Sequence, residues 1–424
     1  MRSSRASVSA SKTGARPVPA NKPYYVLALL FFVNLLNYVD RHSMYAFLPM
    51  IEKELGLSDA LAGSLASAFM IMYMTASLPI ASLADRQGRP RWMAIGLGLW
   101  SLATGAASQV SRYATLLAAR AGVGIGESCY VAASPSFVAE HFEPKKRGFI
   151  LGIFLMTIPL GAAIGYMVGG AIAQAFGWRL AFVCLGLPGL LFVWPLLRLR
   201  DPRLLEKRRG LRAGPAPRGI RPFVELFSVP SYVAATISTA ALTFVLGGFG
   251  VWVPTFFHRT WGLNVGQAGL MLGSCTAIAG TFGAFAGGWL SDWLDGRSRA
   301  PYFLVSGVSV LIGAPLAVLS LCLHRISYAF ALFFISDIFL FMHLSPLNAA
   351  IVAVTEPRRR TVAFAANIFV VHLLGDAISP TIIGFLSDRW GLRRALLIAS
   401  LGFIAAAASS FAAMNRYAKD ARYA

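Results

Sequence analysis

Charge is scarce in this chain. Asp, Glu, Lys and Arg make up 13% of its 424 residues, well below the ~25% of an ordinary soluble domain. Carboxylates are scarcer still, 18 against 38 basic residues. A soluble fold of this length needs a charged surface, so that class is excluded. Cysteine is sparse too. Cys129, Cys184, Cys275 and Cys322 all sit in apolar blocks, which implies packing and no disulfide framework. The first 23 residues (MRSSRASVSASKTGARPVPANKP) are basic and lack the apolar stretch of a secretory leader. Pro17, Pro19 and Pro23 break any long amphipathic helix there. The segment is expected to be a disordered cytosolic tail. The sequence has no Gly-x-Ser-x-Gly elbow, no pore-loop repeat and no His/Cys/Asp set with metal-ligand spacing, so neither an enzyme, a channel nor a metalloprotein is expected.

What the chain has in abundance is long apolar runs. Hydrophobic residues make up 57% of it, gathered in blocks close to the ~20 residues that cross a bilayer as a helix. Breaks at charge, Pro and Gly give twelve spans: 24–49, 60–84, 92–110, 112–139, 148–174 and 180–198, then 231–257, 265–291, 300–322, 325–353, 361–386 and 393–415. Numbering the loops alternately puts 28 Lys and Arg on the side of the termini and 8 on the other, with Arg41 and Arg120 inside spans. By the positive-inside rule both termini are cytoplasmic. The net charge of +20 therefore reflects orientation in a bilayer, and nucleic acid is not an expected partner.

The last loop opposite the termini carries three arginines, and an internal repeat accounts for it. FGWRLAF (176–182) aligns with WGLRRAL (390–396), EPKKRG (143–148) with EPRRRT (356–361), and SLADRQGR (82–89) more loosely with LSDWLDGR (290–297). The expected fold is an all-α integral membrane protein of twelve transmembrane helices in two pseudo-symmetric six-helix halves. Residues 24–198 form one half and 231–415 the other, joined by a basic cytoplasmic linker (199–230) and followed by a short cytosolic tail (416–424). Two parallel halves with a site between them at mid-membrane is a transporter architecture.

These residues resemble the major facilitator superfamily. ASLADRQGRPR (81–91) is similar to its loop 2–3 signature, with Ala81 where a glycine is usual, and RAGVGIG (120–126) to its fourth-helix motif. Within the superfamily, NYVDR (37–41), GVGIGESCY (122–130), MTIPLGAAIGYMVGG (156–170) and GGFGVWVPTFF (247–257) resemble the Spinster family. That resemblance implies alternating-access transport of lysophospholipids or sphingosine phosphate, in a monomer of a bacterial inner membrane, with protons as coupling ion and no cofactor. A proton-coupled organic-anion or drug symporter on the same fold is the alternative, since Asn-Tyr-x-Asp-Arg occurs there too. The resemblance also implies a cytoplasmic gate. Asp85, Arg86 and Arg89 would form a latch, with Asp85 near the N-terminus of the eleventh helix and Arg147 as its partner. Asp292 with Arg360 would be the counterpart in the second half.

Ionisable groups inside spans are costly and mark function. At 100° per residue, Asn34, Asn37, Tyr38, Arg41 and Tyr45 share one stripe of the first helix, with Asp40 on its shoulder; Arg120, Gly124 and Glu127 share one on the fourth. Two readings compete for Asp40, Arg41, Arg120 and Glu127. One is a buried ion-pair network that sets helix register. The other is a proton-coupled site in which an anionic head binds arginine and frees Glu127, or secondarily Asp40, to take a proton. The substrate-facing set is expected to be Arg41, Arg120, Asn37, Tyr38, Tyr45 and Tyr130, with Trp252, Phe341 and Asn348 from the second half. Asp337 shares its stripe with Phe341 and Asn348, and His372 lies one turn from Asp376. Each of these is open between transport and a local satisfied pair.

Overall fold

The computed structural model describes residues 21–204, 225–356 and 359–421. Residues 1–20 of the expected tail, 205–224 of the expected linker and 422–424 lie outside the described residues. Among the described residues ten helical segments are long and apolar enough to cross a membrane: α1 (Pro23–Ala46), α2 (Asp59–Gln87), α5 (Arg147–Phe176), α6 (Trp178–Leu204), α7 (Pro230–Trp261), α8 (Val265–Leu294), α9 (Pro301–Cys322), α10 (Ile326–Val354), α11 (Val362–Trp390) and α12 (Leu392–Asp420). Two more helices of 19 residues, α3 (Arg89–Ala107) and α4 (Tyr113–Val131), complete the twelve. At 1.5 Å per residue each of these two spans about 28 Å. They are less apolar because α3 begins with Arg89 and Arg91, and α4 carries Arg120 and Glu127 inside it.

The helices begin where the chain supplies start signals. Proline occupies the first turn of α1, α3, α7 and α9, where its missing N–H costs nothing. Ser58 caps α2, and Asn264 and Gln267 cap α8 reciprocally. The repeat is visible in the backbone. Gly177 and Gly391, which open α6 and α12, have φ/ψ of 86°/156° and 82°/151°. An L side chain rarely adopts that conformation, so glycine is needed at both places.

One boundary differs from the hydropathy reading. α12 does not stop near residue 415 but runs to Asp420, whose carboxylate accepts from the Ser231 backbone N–H (3.0 Å) and hydroxyl (2.7 Å). Capping the start of α7 gives these last polar residues a structural reason to stay helical.

The halves, α1–α6 and α7–α12, meet along α2 with α11 and α5 with α8. Small residues let these backbones approach. A Cβ at Gly63 would run into the Pro380 carbonyl, one at Gly384 into the Asp59 carbonyl, and one at Gly269 into the Tyr166 carbonyl. These contacts belong to the membrane side opposite the termini. Toward the terminal side of α5, a Cβ at Gly148 or Gly152 would meet nothing within 4 Å. Apolar packing has the same polarity. One buried cluster joins Phe47, Leu48, Ile51, Trp178 and Phe182 to Phe249, Trp252, Phe256 and Phe257 across the halves. Two others, around Trp100 and Phe137 and around Tyr232 and Phe303, lie almost wholly within one half each. The bundle is therefore closed on the side opposite the termini, and its halves part toward the terminal side.

Candidate functional site

A cavity of about 380 Å³ lies between the halves. α1 contributes Tyr38, Arg41, His42 and Tyr45, and α5 contributes Tyr166. The second half supplies Phe249 and neighbouring backbone from α7, Leu272 and Thr276 from α8, Phe333, Asp337 and Phe341 from α10, and His372, Asp376 and Pro380 from α11. One half thus offers a cation and the other offers acids.

Arg41 is the link between cavity and protein interior. It lines the cavity. Its guanidinium donates to Glu127 Oε2 from Nη2 at 2.7 Å and Nε at 3.2 Å. Rings surround it: Tyr38 at 5.0 Å, Phe69 at 4.8 Å and Tyr73 at 5.0 Å from the guanidinium carbon to the centroid. Such faces hold a cation without neutralising it. Glu127 is fully buried, and its second oxygen has no hydrogen bond. Asn37 is buried on the neighbouring α1 turn, with neither amide atom hydrogen-bonded. Arg120 is 1% exposed, sits over Phe69 at 5.0 Å and makes no hydrogen bond from any guanidinium nitrogen. Asp40 turns into its own half, accepting from the Thr104 hydroxyl of α3 at 2.6 Å. The four charges therefore cluster, but only Arg41 reaches the cavity.

The other expected substrate residues divide. Tyr38, Tyr45 and Phe341 line the cavity. Tyr130 does not: it is fully buried, with its hydroxyl on the Leu30 carbonyl (2.6 Å). Trp252 is equally buried and donates to the Pro380 carbonyl (2.9 Å), tying α7 to α11. Asn348 is exposed and away from the cavity lining. Trp252 follows directly on Gly250 and Val251, which line the cavity, so its side chain is at the cavity's level but turned to a neighbouring helix, as that of Tyr130 is. His372 and Asp376 do pair, at 2.9 Å, and both line the cavity.

On the terminal side, Asp85 pairs with Arg203 at 2.9 Å, where Arg147 was the expected partner. Arg147 donates instead to the Phe142 carbonyl. Arg89 is buried and holds Asp201 (2.7 Å) and Glu140 (2.6 Å), stapling α3, α6 and the short helix Ser134–Glu140 within one half. Burial alone would raise the Glu140 pKa, but Arg89 and Arg203 outweigh it and hold the carboxyl below its usual range. Arg86 and Asp292 are exposed, and Arg360 is half-buried at the start of α11.

The closed side has a polar cluster that the sequence reading missed. Arg259, at the end of α7, donates to both Asp59 oxygens (2.7 and 2.8 Å) and to Glu52 (2.8 Å) across the halves. Asp388 of α11 accepts from the Asp59 and Ala60 N–H groups at the start of α2 (2.8 and 3.0 Å), and Ser387 donates to Asp59. Thr381 donates to Ser67 at 2.7 Å, one level deeper. Burial is the largest influence on Glu52, outweighing Arg259, and its pKa is pushed up to about 7. The available signal was the recurrence of Asp-Arg-x-Gly at 85–88 and 388–391.

Comparison with known proteins agrees with this architecture. The family model of the Major Facilitator Superfamily matches residues 30–380. Protein spinster of Drosophila melanogaster is 30% identical over 378 residues, which cover 86% of this chain and 62% of that longer protein. The sphingosine-1-phosphate transporter SPNS2 of Danio rerio is 30% identical over 393 residues, covering 86% of this chain and 76% of the relative. The fold matches the crystal structure of a bacterial homologue of the human lysosomal transporter Spinster in an inward-facing, unoccupied conformation. That match has a TM-score of 0.84 and 24% identity, and covers 96% of this chain and 99% of the other. A cavity between two six-helix halves, closed on one side by charges from both, is what a carrier requires and an enzyme does not. This chain is a multi-pass membrane transporter of the Spinster family within the major facilitator superfamily.

Proposed function

We propose that this transporter moves lysophospholipids or sphingosine-phosphate-like amphiphiles across the membrane by alternating access, coupled to protons, with Glu127 as the main proton acceptor and Asp40 as the second. The observation that carries the reading is the Arg41–Glu127 pair at 2.7 Å, with Arg41 on the cavity wall and Glu127 behind it. A buried ion pair is strongly coupled: removing one partner costs about 3–5 kcal/mol, because the other charge is left unpaired. An anionic headgroup that takes Arg41 from the cavity side leaves Glu127 uncompensated, and a proton is the remedy. Cargo binding and protonation are then thermodynamically linked. Asp40, held by Thr104 away from the cavity, is a weaker second site. The apolar and aromatic walls suit an acyl or sphingoid chain, and the zebrafish relative is named for sphingosine 1-phosphate.

The charge bias of 28 against 8 supports cytoplasmic termini, in our reading of a bacterial inner-membrane protein that works as a monomer. On that orientation the cavity opens inward. The test is flux of a labelled lysophospholipid into proteoliposomes with and without a pH gradient, beside a short-chain organic acid. Gradient-stimulated lysolipid flux, lost in Glu127→Gln, is the expected result. Acid flux without lysolipid flux would reassign the substrate to the organic-anion class. Equal gradient dependence in Glu127→Gln and the parent would remove Glu127 from coupling.

A further inference from the structure

The second half of the cavity holds an acid that the proposed coupling does not use. Asp337 is 5% exposed and lines the cavity, and it makes no hydrogen bond or ion pair with any described residue. The nearby charges are committed elsewhere: Arg41 to Glu127, and His372 to Asp376. The Tyr166 hydroxyl donates to the Gly250 carbonyl at 2.8 Å. An uncompensated carboxylate in so apolar a setting is costly and calls for a positive partner.

Its neighbours indicate which kind. Phe333 and Phe341 stand one turn to either side of Asp337 on the same stripe of α10, and both line the cavity. A metal ion would require several oxygen ligands, and phenyl rings supply none. Phenyl rings beside one carboxylate suit a diffuse organic cation, which is attracted to ring quadrupoles and tolerates a dry site. A bare proton would need no flanking rings.

We propose that Phe333, Asp337 and Phe341 form a subsite for an ammonium or quaternary ammonium group of the cargo. This rests on the lipid reading for the rest of the cargo, and it narrows that reading to a zwitterionic head: phosphate toward Arg41 on α1, cation toward Asp337 on α10. Each half of the transporter then grips one charge of the cargo. A head with both charges bridges the halves; a purely anionic head engages only one.

The test uses full-length protein and three probes: lysophosphatidylcholine, lysophosphatidic acid of the same chain, and dodecyltrimethylammonium, which has the cation but no phosphate. Asp337→Asn is expected to weaken lysophosphatidylcholine and dodecyltrimethylammonium by ~10-fold or more, equivalent to about 1.4 kcal/mol. Lysophosphatidic acid should change by less than ~2-fold, a few tenths of a kcal/mol on the same scale. Asp337→Glu, which keeps the charge, should restore most of the loss and control for folding. Equal losses for all three probes, or no loss for the two cationic ones, would overturn the subsite. If neither lysolipid binds but dodecyltrimethylammonium still depends on Asp337, the subsite stands and the lipid reading falls. If both lysolipids bind independently of Asp337, the subsite falls and the lipid reading stands.

Discussion

The packed pair α2 and α11 ends in the same four-residue pattern at opposite membrane faces. At the end of α11, Asp388-Arg389-Trp390-Gly391 sits over the N-terminus of α2, and Asp388 accepts from its first two free N–H groups at 2.8 and 3.0 Å. At the end of α2, Asp85-Arg86-Gln87-Gly88 lies on the terminal side, and there Asp85 is drawn to Arg203 of its own half at 2.9 Å. One aspartate bridges the halves and the other does not. The comparison shows that closure in this state is held by charges that cross the halves on one face. On the opposite face the described ion pairs each stay within one half: Arg89–Asp201, Arg89–Glu140, Arg203–Asp85 and Arg203–Glu140 in the first, Arg359–Glu225 and Arg359–Glu356 in the second. Carboxylates at a helix N-terminus are favoured by the dipole and by the unpaired N–H groups there, and Asp388 is such a cap on α2 in this state.

The largest break in this asymmetry should come from Arg259→Met. It strips the cation from Glu52 and Asp59, whose side chains are 7% and 11% exposed. Losing the partner of a buried pair costs about 3–5 kcal/mol. Arg259 itself is 38% exposed, so water screens the pair and about 2 kcal/mol is expected. Spin-label distances between the halves on this face should move toward an open population by ~30-fold in the equilibrium. An unchanged distance distribution would mean that apolar packing alone holds the face shut.

Second in size is Gly384→Ala. Its Cβ would collide with the Asp59 carbonyl, a backbone atom that cannot swing away. Overpacking of this kind costs about 1–3 kcal/mol, and it should also open the face that bears Asp388. Gly152→Ala on the terminal side meets nothing within 4 Å and should be silent in the same distance measurement.

Much of this was legible in the sequence, but not all of it. Hydropathy gave twelve spans because each must bury its backbone polar groups in a helix of set length. The repeat gave two halves, and Gly177 and Gly391 share one backbone geometry. Arg41 and Glu127 stood out as charges inside spans, and they are in contact. Arg259, Glu52 and Asp388 did not, because they lie at span ends, where charge is ordinary and serves only to orient the chain. Their significance depends on which helix ends meet, a tertiary fact. Tyr130 and Trp252 show the complementary failure: both were named from segments that resemble the family and from no helical stripe, and each side chain ends against a backbone carbonyl of a neighbouring helix. The end of α12 was misplaced because a charged turn reads as a tail unless its capping partner, Ser231, is known.

Acidity separates the two faces next. Glu52, on the closed face, has its pKa pushed up to about 7 by burial despite Arg259, whereas Glu140, on the terminal face, is held below the ordinary range by Arg89 and Arg203. Once the closed face opens, Glu52 meets water and returns toward the ordinary ~4.3 of glutamate. Between that value and about 7 the closed form binds more protons than the open one. Closure is therefore strengthened as pH falls through 7, and that contribution is lost as pH rises through it. From pH 8 to 6 the equilibrium should shift toward closure by about 1 kcal/mol. Glu52→Gln should flatten the dependence; a slope that survives the substitution would assign it to another group. The Glu140 staple should not respond over this range.

The smallest effect is the most direct test of the two aspartates. Asp388 is exposed, so Asp388→Asn, which keeps the shape and one acceptor, should cost the closed face only about 0.5 kcal/mol of helix-end electrostatics. Asp85→Asn removes no bond between the halves in this state. It should leave closure of the Asp388 face unweakened, and it should favour that closed form if Asp85 caps α11 when the terminal face shuts. Measured together, the two substitutions should therefore move the inter-half distance equilibrium in opposite directions. Movement in the same direction would show that the two Asp-Arg-x-Gly ends, alike in sequence, do not play alternating parts.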